Sequence, residues 1–119
     1  MVTQIRNRAI ARVAAGLPLA MFKALGDPNR ISLIAWLAAQ RGPRTVSEIV
    51  ESGCCPVDFS VVSRHLRTLH AAGVVDAERS GREVRYRLAT TRIAGVLRQI
   101  ADLLESCCAP APTKEFRDV

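Results

Sequence analysis

The chain's 119 residues are 49% hydrophobic and carry a net charge of +6, from 17 Lys+Arg against 11 Asp+Glu. That length supports one compact core rather than two, and the apolar share is too high for a disordered tail. No apolar run reaches the roughly 18 residues of a bilayer span, and the N-terminus lacks an apolar stretch followed by a small-residue cleavage site. The expectation is a cytoplasmic protein with no membrane partner. A positive balance favours a polyanion, above all nucleic acid, so the placement of the arginines becomes the question.

Residues 1–16 carry Arg6, Arg8 and Arg12 among alanines and read as a basic N-terminal arm. Pro18 suits a first helical turn, Leu19 to Leu25 continue that helix, and Gly26 ends it. Asp27-Pro28 is a strong helix start, a capping carboxylate followed by proline at the first helical position. Ile31, Ile34, Leu37 and Ala38 then recur at helical spacing until Arg41-Gly42-Pro43 breaks the run. Thr45-Val46-Ser47-Glu48 is a capping box that opens a short helix, with Gly53 as its stop.

Cys54-Cys55-Pro56-Val57 follows as a tight connection, and Asp58 caps a helix over 59–72. Val62, Leu66 and Leu69 form its inward stripe, while Ser60, Ser63, Arg64 and Arg67 fall toward the other face. Two helices joined by a short turn, the second small, hydroxylated and basic on its outer face, follow helix-turn-helix logic. A hairpin comes next, with strands at 74–78 and 82–88 and Arg79-Ser80-Gly81 in the turn. Val84, Tyr86 and Leu88 share one face of the second strand, Arg85 and Arg87 the other. The last helix, over 91–106, repeats Ile93, Val96, Leu97, Ile100, Leu103 and Leu104 at three- and four-residue steps. Its apolar face, with the first helix, is a candidate dimer surface. The fold class expected is mostly α with a β-hairpin (α+β), as one domain over 17–108 with a loose tail over 109–119.

The only cysteines are two adjacent pairs, Cys54-Cys55 and Cys107-Cys108. In a reducing cytosol they are expected as thiols, and neighbours in sequence bond to each other poorly because the small ring strains the disulfide. The first pair precedes a helix whose positive N-terminal end is expected to lower thiol pKa values and favour thiolate. Small buried side chains are the plain alternative.

Leu25-Gly26-Asp27-Pro28-Asn29-Arg30 before an apolar helix, then Val62-Ser63-Arg64-His65-Leu66, then Gly81-Arg82-Glu83-Val84-Arg85-Tyr86-Arg87-Leu88 together resemble the ArsR/SmtB family of bacterial metal- and thiol-responsive repressors. The resemblance covers residues 17–106. It implies a winged helix-turn-helix homodimer that binds a palindromic operator in duplex DNA and releases it when an inducer binds. Candidate DNA contacts are Ser60, Ser63, Arg64, His65 and Arg67 on the reading helix and Arg79, Arg82, Arg85 and Arg87 on the wing. For His65, packing against the wing or the preceding helix is the competing role. Five aromatic residues, scattered and mostly on apolar faces, offer no platform for single strands.

The chain departs from two of the family's usual sensor sites. It has no Cys-x-Cys near 47–50, and its last helix offers Asp102 and Glu105 but no histidine. The two cysteine pairs remain as the candidate metal site, Cys54, Cys55, Cys107 and Cys108. Soft thiolates select thiophilic species, so trivalent arsenic (arsenite) is the first candidate inducer and mercury and cadmium are alternatives. A bridge between the pairs would tie the turn to the dimer helix and move the two reading heads off their half-site spacing. Disulfide or persulfide sensing would make the same link. A small thiol oxidoreductase would need Cys-x-x-Cys on a βαβ unit, which is absent, and no glycine-rich phosphate loop appears. The chain reads as a non-enzyme with no organic cofactor.

Overall fold

A computed structural model describes residues 15–107 together with Arg8 and Ala11, and only the backbone of Cys107. Most of the expected N-terminal arm, the tail over 109–119 and Cys108 lie outside the described residues. Contacts divide the chain into two compact units, Pro18–Ala94 and a second built from the segments on either side of it. Among the described residues, no helix is long and apolar enough to cross a membrane.

Four helices build the first unit: α1 (Leu19–Leu25), α2 (Pro28–Ala38), α3 (Val46–Ser52) and α4 (Phe59–Ala71). The three side-chain caps read from the sequence are in place, whereas Pro18 stands before α1 in an extended conformation rather than in its first turn. The Asp27 carboxylate accepts from the backbone N–H groups of Asn29 (2.9 Å) and Arg30 (3.1 Å). Thr45 and Glu48 form the reciprocal capping box. Asp58 accepts from the Val61 N–H at 3.1 Å. These side chains satisfy backbone donors that a helix start leaves unpaired, so the three starts are fixed locally.

The hairpin is longer than expected at its tip. Strands β2 (Val75–Ser80) and β3 (Glu83–Leu88) pair antiparallel, with Val75 opposite Leu88 and Ser80 opposite Glu83. Arg79 and Ser80 therefore belong to the strand, and the turn is Gly81-Arg82. Gly81 has φ 63°, and positive φ in a two-residue loop matches the right-handed twist of the strands it joins. A further strand, β1 (Arg44–Thr45), pairs with β3 through Arg44–Tyr86 and Thr45–Arg85 and makes the order β1-β3-β2. Two residues carry no period of their own, so this strand was invisible in the sequence.

Among the described residues, the buried side chains all belong to the first unit. Leu33, Val62, Leu66, Leu69 and Val74 have no exposed surface, and Met21, Leu37 and Ile49 are buried with them. Helix α4 sits at the centre of this packing, against α1, α3 and β2. No polar or charged side chain is buried among the described residues. The last helix, α5 (Thr90–Cys107), begins in this unit, where the Ala89 N–H donates to the Val74 carbonyl at 2.9 Å. Its later residues belong to the second unit, whose described side chains are half-buried or exposed.

Leu66→Ala is expected to lower unfolding stability by about 2–5 kcal/mol, from lost burial plus the cavity left behind. A shifted urea midpoint with an unchanged slope is the expected reading, and an unchanged midpoint would contradict the packing around α4.

Candidate functional site

With two turns of α4 buried along Val62, Leu66 and Leu69, a 100° step per residue sends Ser60, Arg64 and Arg67 to the opposite side. All three are exposed. Thr68 joins that face, its hydroxyl donating to the Arg64 carbonyl at 3.2 Å. It was missed in the sequence reading, although its position one turn after Arg64 marks it. Ser63 lies on the flank, half-buried. His65 lies on the other flank and faces the protein: Arg30 Nη1 on α2 is 3.2 Å from its Nδ1. Burial, the first cause, and the charges of Arg30 and Arg64 lower its pKa below the usual 6.5, against an opposing pull from Asp27. Of the two roles read for His65, packing on a preceding helix is the one this geometry describes.

The four wing arginines are not equivalent. Arg85 stands opposite Glu78 and Arg87 opposite Asp76 across the β2–β3 ladder. Opposite charges at facing positions attract, which offsets part of the positive charge on this face. Arg85 also pairs with Glu83 at 3.3 Å. Arg87 sits at the base, lining an open cleft of about 530 Å³ with Asp76, Thr90, Thr91 and Arg92. Arg92 donates to the Gly73 carbonyl (2.9 Å) and to Asp76 (3.2 Å), which ties the start of α5 to the turn after α4. Arg79 and Arg82 remain, exposed at the tip of the hairpin.

Cys54 and Cys55 lie between α3 and α4. Their sulfurs are 3.9 Å apart, and the Cys54 sulfur is also 3.9 Å from the Ile49 carbonyl oxygen. Cys54 is half-buried, whereas Cys55 is only 7% exposed and belongs to the core. Burial pushes the Cys55 thiol up to about 11, with the charge and hydrogen bond of Cys54 adding to it. At Cys55 burial thus outweighs the expected thiolate-favouring effect of the helix start.

Two thiolates each about 2.3 Å from a tetrahedral soft ion stand about 3.8 Å apart, so this pair has the span for two-point capture. Among the described residues, no three His, Cys, Asp or Glu side chains gather into a group that could hold a metal ion. A third sulfur would have to come from outside the pair. The side chain of Cys107 and the whole of Cys108 lie outside the described residues.

Comparison with known proteins places this arrangement. Residues 27–77 match the family described as bacterial regulatory protein, arsR family. A transcriptional repressor SmtB of Mycobacterium tuberculosis is 43% identical over 77 residues, covering 65% of this chain and 54% of the relative. The chain thus spans about half the length of that curated relative. A transcriptional repressor SmtB homolog of Synechocystis is 32% identical over 104 residues, covering 87% of this chain and 76% of the relative. Among solved structures, an ArsR-like transcriptional regulator from a Rhodococcus species superposes with a TM-score of 0.62 at 27% identity, covering 72% of this chain and 77% of that one.

A thiol at about 11 holds roughly a hundredfold less thiolate at neutral pH than one at the ordinary 9.0. Iodoacetamide at pH 7.5 is therefore expected to label Cys54 in Cys55→Ala well before it labels Cys55 in Cys54→Ala. Equal rates, followed by mass spectrometry of the 54–55 peptide, would contradict the burial of Cys55.

Proposed function

Because the chain belongs to the ArsR/SmtB family of bacterial regulators, we propose that it is a homodimeric repressor that binds a palindromic operator in duplex DNA and is released from it by a thiophilic inducer. The observation that carries the DNA-binding half is the outer face of α4. Ser60, Arg64 and Arg67 are exposed over a fully buried stripe, and Arg79 and Arg82 are exposed at the hairpin tip. A helix of this kind in the major groove reads base edges, while arginines at a wing tip reach phosphate or the minor groove. Ser63 borders the reading face. Arg85 and Arg87, facing carboxylates across the hairpin, serve more as structural charges, and His65 supports the helix from behind.

The proposal of a homodimer rests on α5. Leu97 and Leu104 are 47% and 45% exposed and lie two turns apart on one stripe. A second copy would cover them. Leu104→Glu is expected to convert the dimer to monomer in sedimentation velocity; an unchanged sedimentation coefficient would sink this surface.

For the inducer, the supporting observation is the Cys54–Cys55 pair at 3.9 Å. Cys54 is the accessible first ligand and Cys55 the second, with a third sulfur from Cys107 or Cys108. Trivalent arsenic suits a three-sulfur set, and mercury or cadmium would use the same donors. Release requires only that the inducer favour the DNA-incompetent form by about 1–3 kcal/mol. Redox bridging of the same sulfurs is the alternative chemistry.

One experiment tests both halves: operator release by arsenite, mercury, cadmium and peroxide, on wild type, Cys54→Ser, Cys107→Ser and Arg64→Ala. Arg64→Ala is expected to weaken operator binding with inducer binding intact, and normal affinity would remove it from the interface. Loss of release in the cysteine variants is expected for the true inducer alone. If neither cysteine substitution alters release by any of the four, the thiol mechanism fails.

A further inference from the structure

Arg30 has no role in the reading above, yet its guanidinium joins three helices. It rises from the first turn of α2, where Asp27 caps its backbone N–H. Its Nε donates to the Ala24 carbonyl at 2.5 Å and its Nη2 to the Lys23 carbonyl at 3.3 Å. Both carbonyls belong to the last turn of α1, and that of Lys23 also accepts from the Gly26 N–H at 3.2 Å. Its Nη1 lies 3.2 Å from Nδ1 of His65 on α4. A planar fork of fixed donors can hold these three acceptors only in one mutual arrangement.

The contact with His65 has a chemical condition. A guanidinium donates and never accepts, so Nδ1 must be the acceptor, and the ring must be neutral with its proton on Nε2. Nε2 is buried and has no hydrogen-bond partner. A protonated ring would set Nδ1–H against the Arg30 N–H and open the link. The charged groups acting on the ring are Asp27 at the α1–α2 corner, Arg30 on α2 and Arg64 on α4 itself. Only Asp27 favours the charged form.

We propose that Arg30 is a positioning residue: it sets the orientation of α4 against the α1–α2 corner, and it loses its hold when His65 takes up a proton. The inference rests on α4 being the DNA-reading helix. Its pH direction follows from linkage. With the folded His65 below the usual 6.5, the unfolded chain binds the proton first as pH falls. The stabilisation is therefore present above about 6.5 and is lost on the acid side. Added positive charge elsewhere on α4 would strengthen binding to a polyanion, which is the opposite sign.

The test uses the full chain as wild type, Arg30→Met, Arg30→Lys and His65→Asn. Nitrogen chemical shifts of the His65 ring at pH 7.5 are expected to show bare Nδ1 and protonated Nε2; the reverse tautomer overturns the proposal. As pH falls from 7.5 through the titration of the His65 ring, followed by the same nitrogen shifts at constant ionic strength, wild-type affinity for an operator duplex is expected to fall by about fivefold or more. His65→Asn places an amide oxygen near the Nδ1 position and accepts at every pH, so it should match wild type at pH 7.5 and lack the acid loss. Arg30→Lys, which cannot span three acceptors, should bind more weakly at pH 7.5 and show a flat profile. An acid loss retained in His65→Asn overturns the proposal. Should wild type bind no duplex at all, it is the reading of α4 that fails. The ring titration then decides separately: backbone shifts over 59–71 must follow it, and Arg30→Met must raise its midpoint, or the clamp is wrong too.

Discussion

Everything the molecule presents outward depends on the burial of one side of α4. Val62, Leu66 and Leu69 have no solvent exposure, and that stripe fixes the rotation of the helix about its own axis. A helix free to roll would present arginines in no fixed direction. Three apolar side chains locked among α1, α3 and β2 remove that freedom, because close-packed interiors tolerate little displacement. Hydrophobic burial thus fixes the roll of α4, and the polar face is defined by what the apolar face excludes. The same packing takes Cys55 of the α3–α4 connection into the core and leaves Cys54 half-buried.

Local chemistry explains which parts were legible in advance. Asp27, Thr45 with Glu48, and Asp58 cap helices within three residues of themselves, so their meaning is written in short stretches of sequence. Periodicity did the same for the inward stripe of α4. What the sequence could not reveal depends on contacts between distant segments. Strand β1 exists only because β3 lies beside it, and the Arg30–His65 contact joins residues 35 apart. The high pKa of Cys55 is likewise a property of its surroundings. The local expectation, a thiol activated by a nearby helix end, loses to desolvation once the side chain is seated inward.

Charge placement on the hairpin follows the same division. The sequence offered four wing arginines as candidate contacts, and the register puts Asp76 and Glu78 opposite two of the four. Facing carboxylates offset part of the charge of those two arginines, while Arg79 and Arg82 stand exposed at the tip without a facing carboxylate. A wing built this way resists sliding of one strand past the other, since a one-residue slip would turn every facing pair to the wrong side. The hairpin's register and its electrostatic character are therefore one specification.

The burial of Cys55 beside the more accessible Cys54 also bears on which substitutions each position tolerates. Any replacement at position 55 must fill the core space of a small apolar side chain. Position 54, half-buried, is under a looser packing demand. Substitution is therefore expected to be absorbed more readily at residue 54 than at residue 55. Two neighbouring thiols, identical in composition, are in this fold an adjustable half and an immovable one.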